Sequence, residues 1–126
     1  MILYDLREVL LPYSGEQFFF GMETKKVQEL QKYDYMVLRQ VGTSICSKGT
    51  SVAEKFELEI LREQHVDPLL ILKAIRAVKS IAGVHVPDQD VEHKIFVKQG
   101  TNAIVDSATV VFTRSYKASE AEEHGR

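Results

Sequence analysis

The sequence predicts an α+β fold: an antiparallel or mixed β-sheet of four to five strands, with two helices packed on one face. Two observations carry this prediction. Residues 55–60 alternate charged and apolar side chains with the period of a half-buried strand. Residues 67–82 place apolar side chains at helical spacing behind an Asp-Pro start. With the remaining elements the order becomes α, β, β, β, α, β, β.

The first predicted element is a short helix. Leu3, Leu6 and Leu10 follow the spacing of one helix face, and a proline and a glycine soon afterwards end the helix. The aromatic run at 18–20 is typical of a short strand. Residues 23–32 are polar and favour neither helix nor strand.

Two strands and a loop are predicted next. Residues 33–41 are rich in β-branched and aromatic side chains, which favour a strand. Residues 42–51 are mainly Gly, Ser and Thr, which predicts a polar loop longer than the usual connection of about 4–6 residues. The alternating strand around 55–60 follows.

The second helix is the strongest local signal in the chain. Asp67 is placed to cap it, and Pro68 occupies the first helical position, where its missing N–H costs nothing. Gly83 is predicted as a left-handed stop. The apolar stripe comprises Leu69, Ile71, Leu72, Ile75 and Val78.

The chain then returns to strands. Residues 91–98 alternate apolar and charged side chains, except that Phe96 lies among the charged ones. Residues 99–102 are typical of a turn. Residues 103–116 predict one long strand whose centre is apolar on both faces.

The composition limits the classes of protein to which the chain can belong. With 126 residues, a net charge of −2 and 44% apolar residues, we expect one folded domain over 1–117 and a flexible polar tail at 118–126. The composition excludes a disordered chain and binding to nucleic acid through bulk positive charge. We expect neither a membrane span nor a secretory signal. Cys46 is the single cysteine, which favours a reducing compartment.

Reactive side chains at workable spacing are scarce. The best metal candidate is the segment 85–93, which holds His85, Asp88, Asp90 and His93 and would suit a metal-assisted enzyme. An ordinary acidic turn explains the same residues. Cys46 lies in the Gly/Ser/Thr stretch without a basic residue nearer than Lys48, so we expect a lightly packed thiol. The prediction is no enzyme, no metal and no cofactor.

The unusual feature is an apolar surplus. A sheet covered by helices on one face should be polar on the other, yet Phe96 and Val111 are predicted to lie on that wet side. Met36 and Leu38 add to the surplus if they share that face. Such an apolar surface marks a contact with a partner. We therefore predict Phe96, Val111, Met36 and Leu38 as a subunit interface.

These elements resemble those of a known family in their order and in their pattern of apolar and polar residues. The residues that carry the resemblance are 33–41 as a first long strand, 54–63 as an alternating second strand, 67–78 as a long helix, and 91–117 as a closing hairpin that ends in Tyr116 and Lys117. The family is that of the tail terminator or tail-completion proteins of long-tailed bacteriophages and related prophage elements.

The resemblance implies an assembly protein. Family members form rings, commonly hexamers, that cap the tail tube and offer a surface to the head-tail connector. It implies partners that are other copies of the chain, the tail-tube protein and connector proteins, with no membrane and no sequence-specific nucleic acid. Localisation would be the host cytoplasm during assembly and then the virion tail or neck. The predicted tube or connector contacts are Ser44, Lys48, Thr101 and Asn102. The alternative is a small α+β protein-binding adaptor domain of non-phage origin.

Overall fold

A mixed sheet with two helices on one face makes up the described part of the chain. The structure is a computed structural model and describes residues 2–21, 33–46, 48–98 and 100–117. The α+β class and the position of both helices on one face agree with the prediction. The described sheet has six strands because a strand of two residues joins its edge. The polar segment 23–32 and the tail 118–126 lie outside the described residues.

The element bounds are as follows. The helices are α1 (Ile2–Leu10), which continues into a 3₁₀ turn (Leu11–Tyr13), and α2 (Pro68–Lys79). The strands are β1 (Gln17–Phe20), β2 (Asp34–Ile45), β3 (Ser51–Glu63), β4 (Val84–His85), β5 (Glu92–Val97) and β6 (Ile104–Lys117). Among the described residues, no helix has both the length and the hydropathy to cross a membrane.

The sheet order is β1-β2-β3-β6, with β4 and β5 both paired to the outer edge of β6. Strand β1 runs parallel to β2, and the other pairs are antiparallel. Between β4 and β5 the side chain of Gln89 takes the place of a strand residue. Its amide donates to the Val111 carbonyl and accepts from the Val111 N–H, both at 2.9 Å. Gln89 thus keeps the β6 ladder satisfied where the edge changes strands.

The predicted loop at 42–51 is wrong in its extent. Residues 42–45 continue β2 and pair with residues 52–55 of β3, after a register shift between Gln40 and Gly42. Only 46–50 connect the two strands. Small polar residues are compatible with this extension because it projects beyond the helices, where neither face needs apolar side chains.

The main core lies between the helices and the sheet. Phe56, Leu58 and Ile60 are buried there as the alternation predicted, and the Phe56 ring stacks on Phe112 at 5.3 Å between centroids. The other buried members are Leu6, Leu10, Met36, Leu38, Val66, Ile71, Ala74, Val78, Ala108 and Val110.

Helix α2 begins as predicted, with the Asp67 carboxylate accepting the Leu69 N–H at 2.9 Å. Its stripe is narrower than predicted, because Leu69 and Leu72 are exposed. Leu69 lies nine residues before buried Val78, which is about two and a half turns at 3.6 residues per turn. The two side chains therefore lie on opposite sides of the helix.

Gly83 has the predicted left-handed φ of +84°. A Cβ there would lie 2.5 Å from the Ser115 carbonyl oxygen, so a side chain would push β4 away from β6. The helix itself ends earlier than predicted, at Lys79.

Candidate interaction surface

Phe96 and Val111 lie, as predicted, on the sheet face opposite the helices, here called the open face. They are 39% and 41% exposed. Phe96 pairs with Val105, which precedes Val111 by six residues on β6, so the two are about 20 Å apart at roughly 3.3 Å per residue. Polar Ser107 and Thr109 lie between them on β6. Phe96 and Val111 therefore do not form one continuous apolar patch, and the Phe96 ring instead packs edge-on against Tyr33, with 5.5 Å between ring centroids.

The expectation that Met36 and Leu38 share this face is wrong. Both side chains are buried in the core under the helices. Residues 35–38 are apolar at every position, so alternation along β2 does not distinguish its two faces. The helices decide the matter by packing over Met36 and Leu38.

The open face is not bare along β2 and β3. Tyr35, Val37 and Leu61 form a second buried cluster, with Phe19 and Tyr33 packed against it. Beside it, half-buried Arg39 pairs with Glu59, and Glu59 also accepts the Ser107 hydroxyl. This part of the face is closed by aromatic packing and a satisfied ion pair.

The larger apolar exposure lies where β5 and β6 meet the hairpin between them. Ile95, Val97 and Ile104 are 69%, 61% and 47% exposed, and they lie on the helix-side face. The length of α2 explains this. Its 12 residues span about 18 Å, whereas the 14 residues of β6 span about 45 Å. The end of the sheet thus extends beyond the helices that cover it.

The four predicted contact residues lie at two hairpin tips. Ser44 and Lys48 belong to the β2–β3 hairpin, which adjoins the Lys117 end of β6. Thr101 and Asn102 belong to the β5–β6 turn at the Ile104 end. The two tips are therefore about 40 Å apart along β6 and cannot touch the same small surface.

Each tip has its own local chemistry. At the β5–β6 turn, Asn102 helps to line a depression of about 350 Å³, together with Glu63, Gln64, Ala103 and Ile104.

At the β2–β3 tip, the Thr50 hydroxyl and N–H lie 3.1 and 3.2 Å from the Cys46 Sγ. Hydrogen bonds from the hydroxyls of Thr50 and Ser51 and from nearby backbone N–H groups lower the pKa of Cys46 to about 6.

A buried carboxylate lies next to the exposed apolar region. Asp106 accepts the Val66 N–H at 2.9 Å and the His93 Nδ1–H at 2.9 Å, and the His65 Nδ1 lies 3.6 Å away. Burial opposes the charge of Asp106, but these hydrogen bonds and the charges of His93 and His65 hold the pKa of Asp106 below its ordinary value. The carboxylate ties the start of α2 to β5 and β6.

The candidate metal ligands do not converge. His85 pairs with Thr113 and His93 with Ala108, so the two imidazoles lie on opposite faces and about 16 Å apart along β6. Asp88 and Asp90 are exposed in the connection between β4 and β5. Within the described ranges, no group of three or more His, Cys, Asp or Glu side chains is arranged to hold a metal ion.

Comparison with known proteins adds no further constraint. No protein-family model matches the sequence, and no curated protein matches it.

Proposed function

We propose that the chain is a structural assembly protein of the tail terminator or tail-completion class, which caps a tail tube and joins it to the head as a ring of copies. The observation that carries this proposal is the placing of the two hairpin tips at opposite ends of the long strands. A subunit built in this way can touch one ring through Ser44 and Lys48 and another ring through Thr101 and Asn102.

Capping needs no bond-making step. A ring seated on the last tube subunits blocks the addition of the next ring and presents a new docking surface to the connector. Such a ring requires a head-to-tail contact between neighbours that closes by rotation. Phe96 and Val111 are the proposed side-by-side contacts because they are apolar and exposed on the open face. Assembly takes place in the host cytoplasm, and the ring stays in the virion tail or neck.

Tube assembly tests the proposal directly. Purified tail-tube protein is polymerised with and without this chain, and tube lengths are measured by electron microscopy. We expect shorter tubes with a ring of density at one end. Equal length distributions and bare ends would overturn the proposal.

Charge reversal at one tip makes the test specific. Lys48→Glu alters the β2–β3 tip, and Lys73→Glu on the exposed side of α2 is the matched control. We expect Lys48→Glu to impair docking to one ring while the control caps normally. Equal activity of the two variants would remove the β2–β3 tip from the contact.

A further inference from the structure

Strand β5 lies at the edge of the sheet that the described residues form. It pairs with β6 on one side, and no described strand lies against the other. All six of its residues are exposed. A free edge that carries apolar side chains is a template for pairing with another strand.

The outward hydrogen-bonding groups of β5 can be identified. The Lys98 N–H donates to the Ala103 carbonyl at 2.8 Å, so the main chain at 98 points towards β6. Main-chain direction alternates along an antiparallel strand, so residues 92, 94 and 96 also point towards β6. The N–H and C=O groups of His93, Ile95 and Val97 therefore point away from the sheet.

We propose that two copies of this chain associate by antiparallel pairing of β5 with β5 across a two-fold axis at Ile95. In this register the outward groups of His93 meet those of Val97 in the partner, and Ile95 meets its own copy. The two sheets become one continuous sheet. Ile95, which is 69% exposed, packs against its own copy, and Val97, which is 61% exposed, lies opposite His93 of the partner and diagonal to the partner's Ile95.

Charge selects this register over its neighbour. With the axis at Ile95, Glu92 lies opposite Lys98 of the partner, and Lys94 lies opposite the ring of Phe96, each twice. With the axis at Lys94, the two Lys94 side chains would face each other, and Glu92 would face Phe96. Directly opposed like charges destabilise a strand pair, whereas opposite charges stabilise it. The strand is thus complementary to itself in one register.

This association is separate from the proposed ring. A two-fold contact uses the same surface of both copies and closes at two subunits, whereas a ring requires two different surfaces. The pairing rests on the outward main-chain groups of β5 and on Ile95, whereas the ring contact rests on Val111 and Phe96 of the open face. Phe96 belongs to both contacts, because it lies opposite Lys94 in the pairing, and Val111 belongs to the ring contact alone. Each can therefore fail without the other.

Light scattering on the full chain tests the association. We expect a mass that rises with concentration from 14.3 kDa to twice that value. Ile95→Asp should hold the mass at the monomer value, because it places two carboxylates face to face. Ile45→Asp is the matched control, since Ile45 is also 69% exposed but lies on β2. A wild type that stays monomeric, or an equal effect of both variants, would overturn the proposal; circular dichroism checks that each variant is folded.

Cysteine cross-linking tests the register. In a Cys46→Ser background, Ile95→Cys places two thiols on the axis, where opposed Cα atoms are about 5.5 Å apart and within disulfide range. We expect mild oxidation to convert Ile95→Cys to a covalent dimer and to leave Lys94→Cys largely monomeric. Preferential cross-linking of Lys94→Cys would overturn the register. The Ile95→Asp variant is also tested in the tube assay. If it no longer pairs but still caps tubes, the pairing and the proposed function are shown to be separate.

Discussion

Strands β3 and β5 have similar alternating patterns but opposite burial. In β3 the apolar residues Phe56, Leu58 and Ile60 are all buried beneath the helices. In β5 the apolar residues Ile95 and Val97 follow the same alternation, which only Phe96 interrupts, and yet they are exposed. Strand β3 lies between two long strands and under α1 and α2, whereas β5 lies at the edge of the sheet and beyond the helices. Alternation selects a face, and only another element can cover that face.

Truncating one apolar residue in each strand gives the largest expected contrast. Leu58→Ala leaves a cavity in the core and should lower the free energy of unfolding by about 2–5 kcal/mol. Ile95→Ala should change it by less than about 0.5 kcal/mol, because that side chain is exposed in the single chain. Urea unfolding at low protein concentration, where copies do not associate, measures both. Similar losses of unfolding free energy in the two variants would contradict the conclusion that the helices cover β3 and leave β5 exposed.

Asp106 marks the boundary between the covered and uncovered regions. Asp106→Ala removes the acceptor for the buried N–H of Val66 and should cost about 1–3 kcal/mol of unfolding free energy. Asp88→Ala is the control, because Asp88 is exposed. An equally small effect of the two substitutions in urea unfolding would show that the carboxylate does not hold the start of α2.

The same variant has a defined pH dependence. The pKa of Asp106 is lower in the folded state than its ordinary value. Its contribution to stability is therefore complete above about pH 3.9, the ordinary pKa, and is lost as the pH falls through the lowered pKa. We expect the gap in stability between the wild type and Asp106→Ala to shrink over that acidic range. A gap that widens on acidification would contradict the direction of the shift.

Gln89 joins the two halves of the outer edge of β6, so its effect should be local. Gln89→Ala removes two hydrogen bonds to Val111 and should cost about 1 kcal/mol. The specific readout is hydrogen exchange at the Val111 amide, which should become faster. Gln40→Ala, at an exposed Gln on β2, should leave that amide unchanged. Unchanged exchange in Gln89→Ala would show that the side chain does not replace a strand residue.

Substitutions at the β2–β3 tip, the other uncovered end of the sheet, are expected to have the smallest effect on stability, and their readout is the reactivity of Cys46. The thiol of Cys46 has a pKa of about 6, so its alkylation rate should reach half of its maximum near that pH. Thr50→Val should move this midpoint upwards, because it removes the hydroxyl next to Sγ. Thr43→Val, on β2, is the control and should not. A wild-type midpoint near the ordinary thiol value would contradict the described contacts.

The features that could be predicted from the sequence are those that depend on residues close together in the chain. The cap at Asp67, the left-handed Gly83 and the buried alternation of β3 were all predictable because each depends on residues close in the chain. The face of Met36 was not, because residues 35–38 are apolar on both sides. Asp106 was also missed: its partners Val66, His65 and His93 are remote from it in sequence.

By itself the sequence determined the class of the fold, the order of its main strands and helices, and the residues able to cap or turn. These depend on local periodicity and on backbone preference. The tertiary structure alone decided which face of β2 the helices cover, how far the β2–β3 hairpin extends, and that the apolar side of β5 stays open. Those outcomes depend on where elements of unequal length meet, a condition that no single segment of the chain contains.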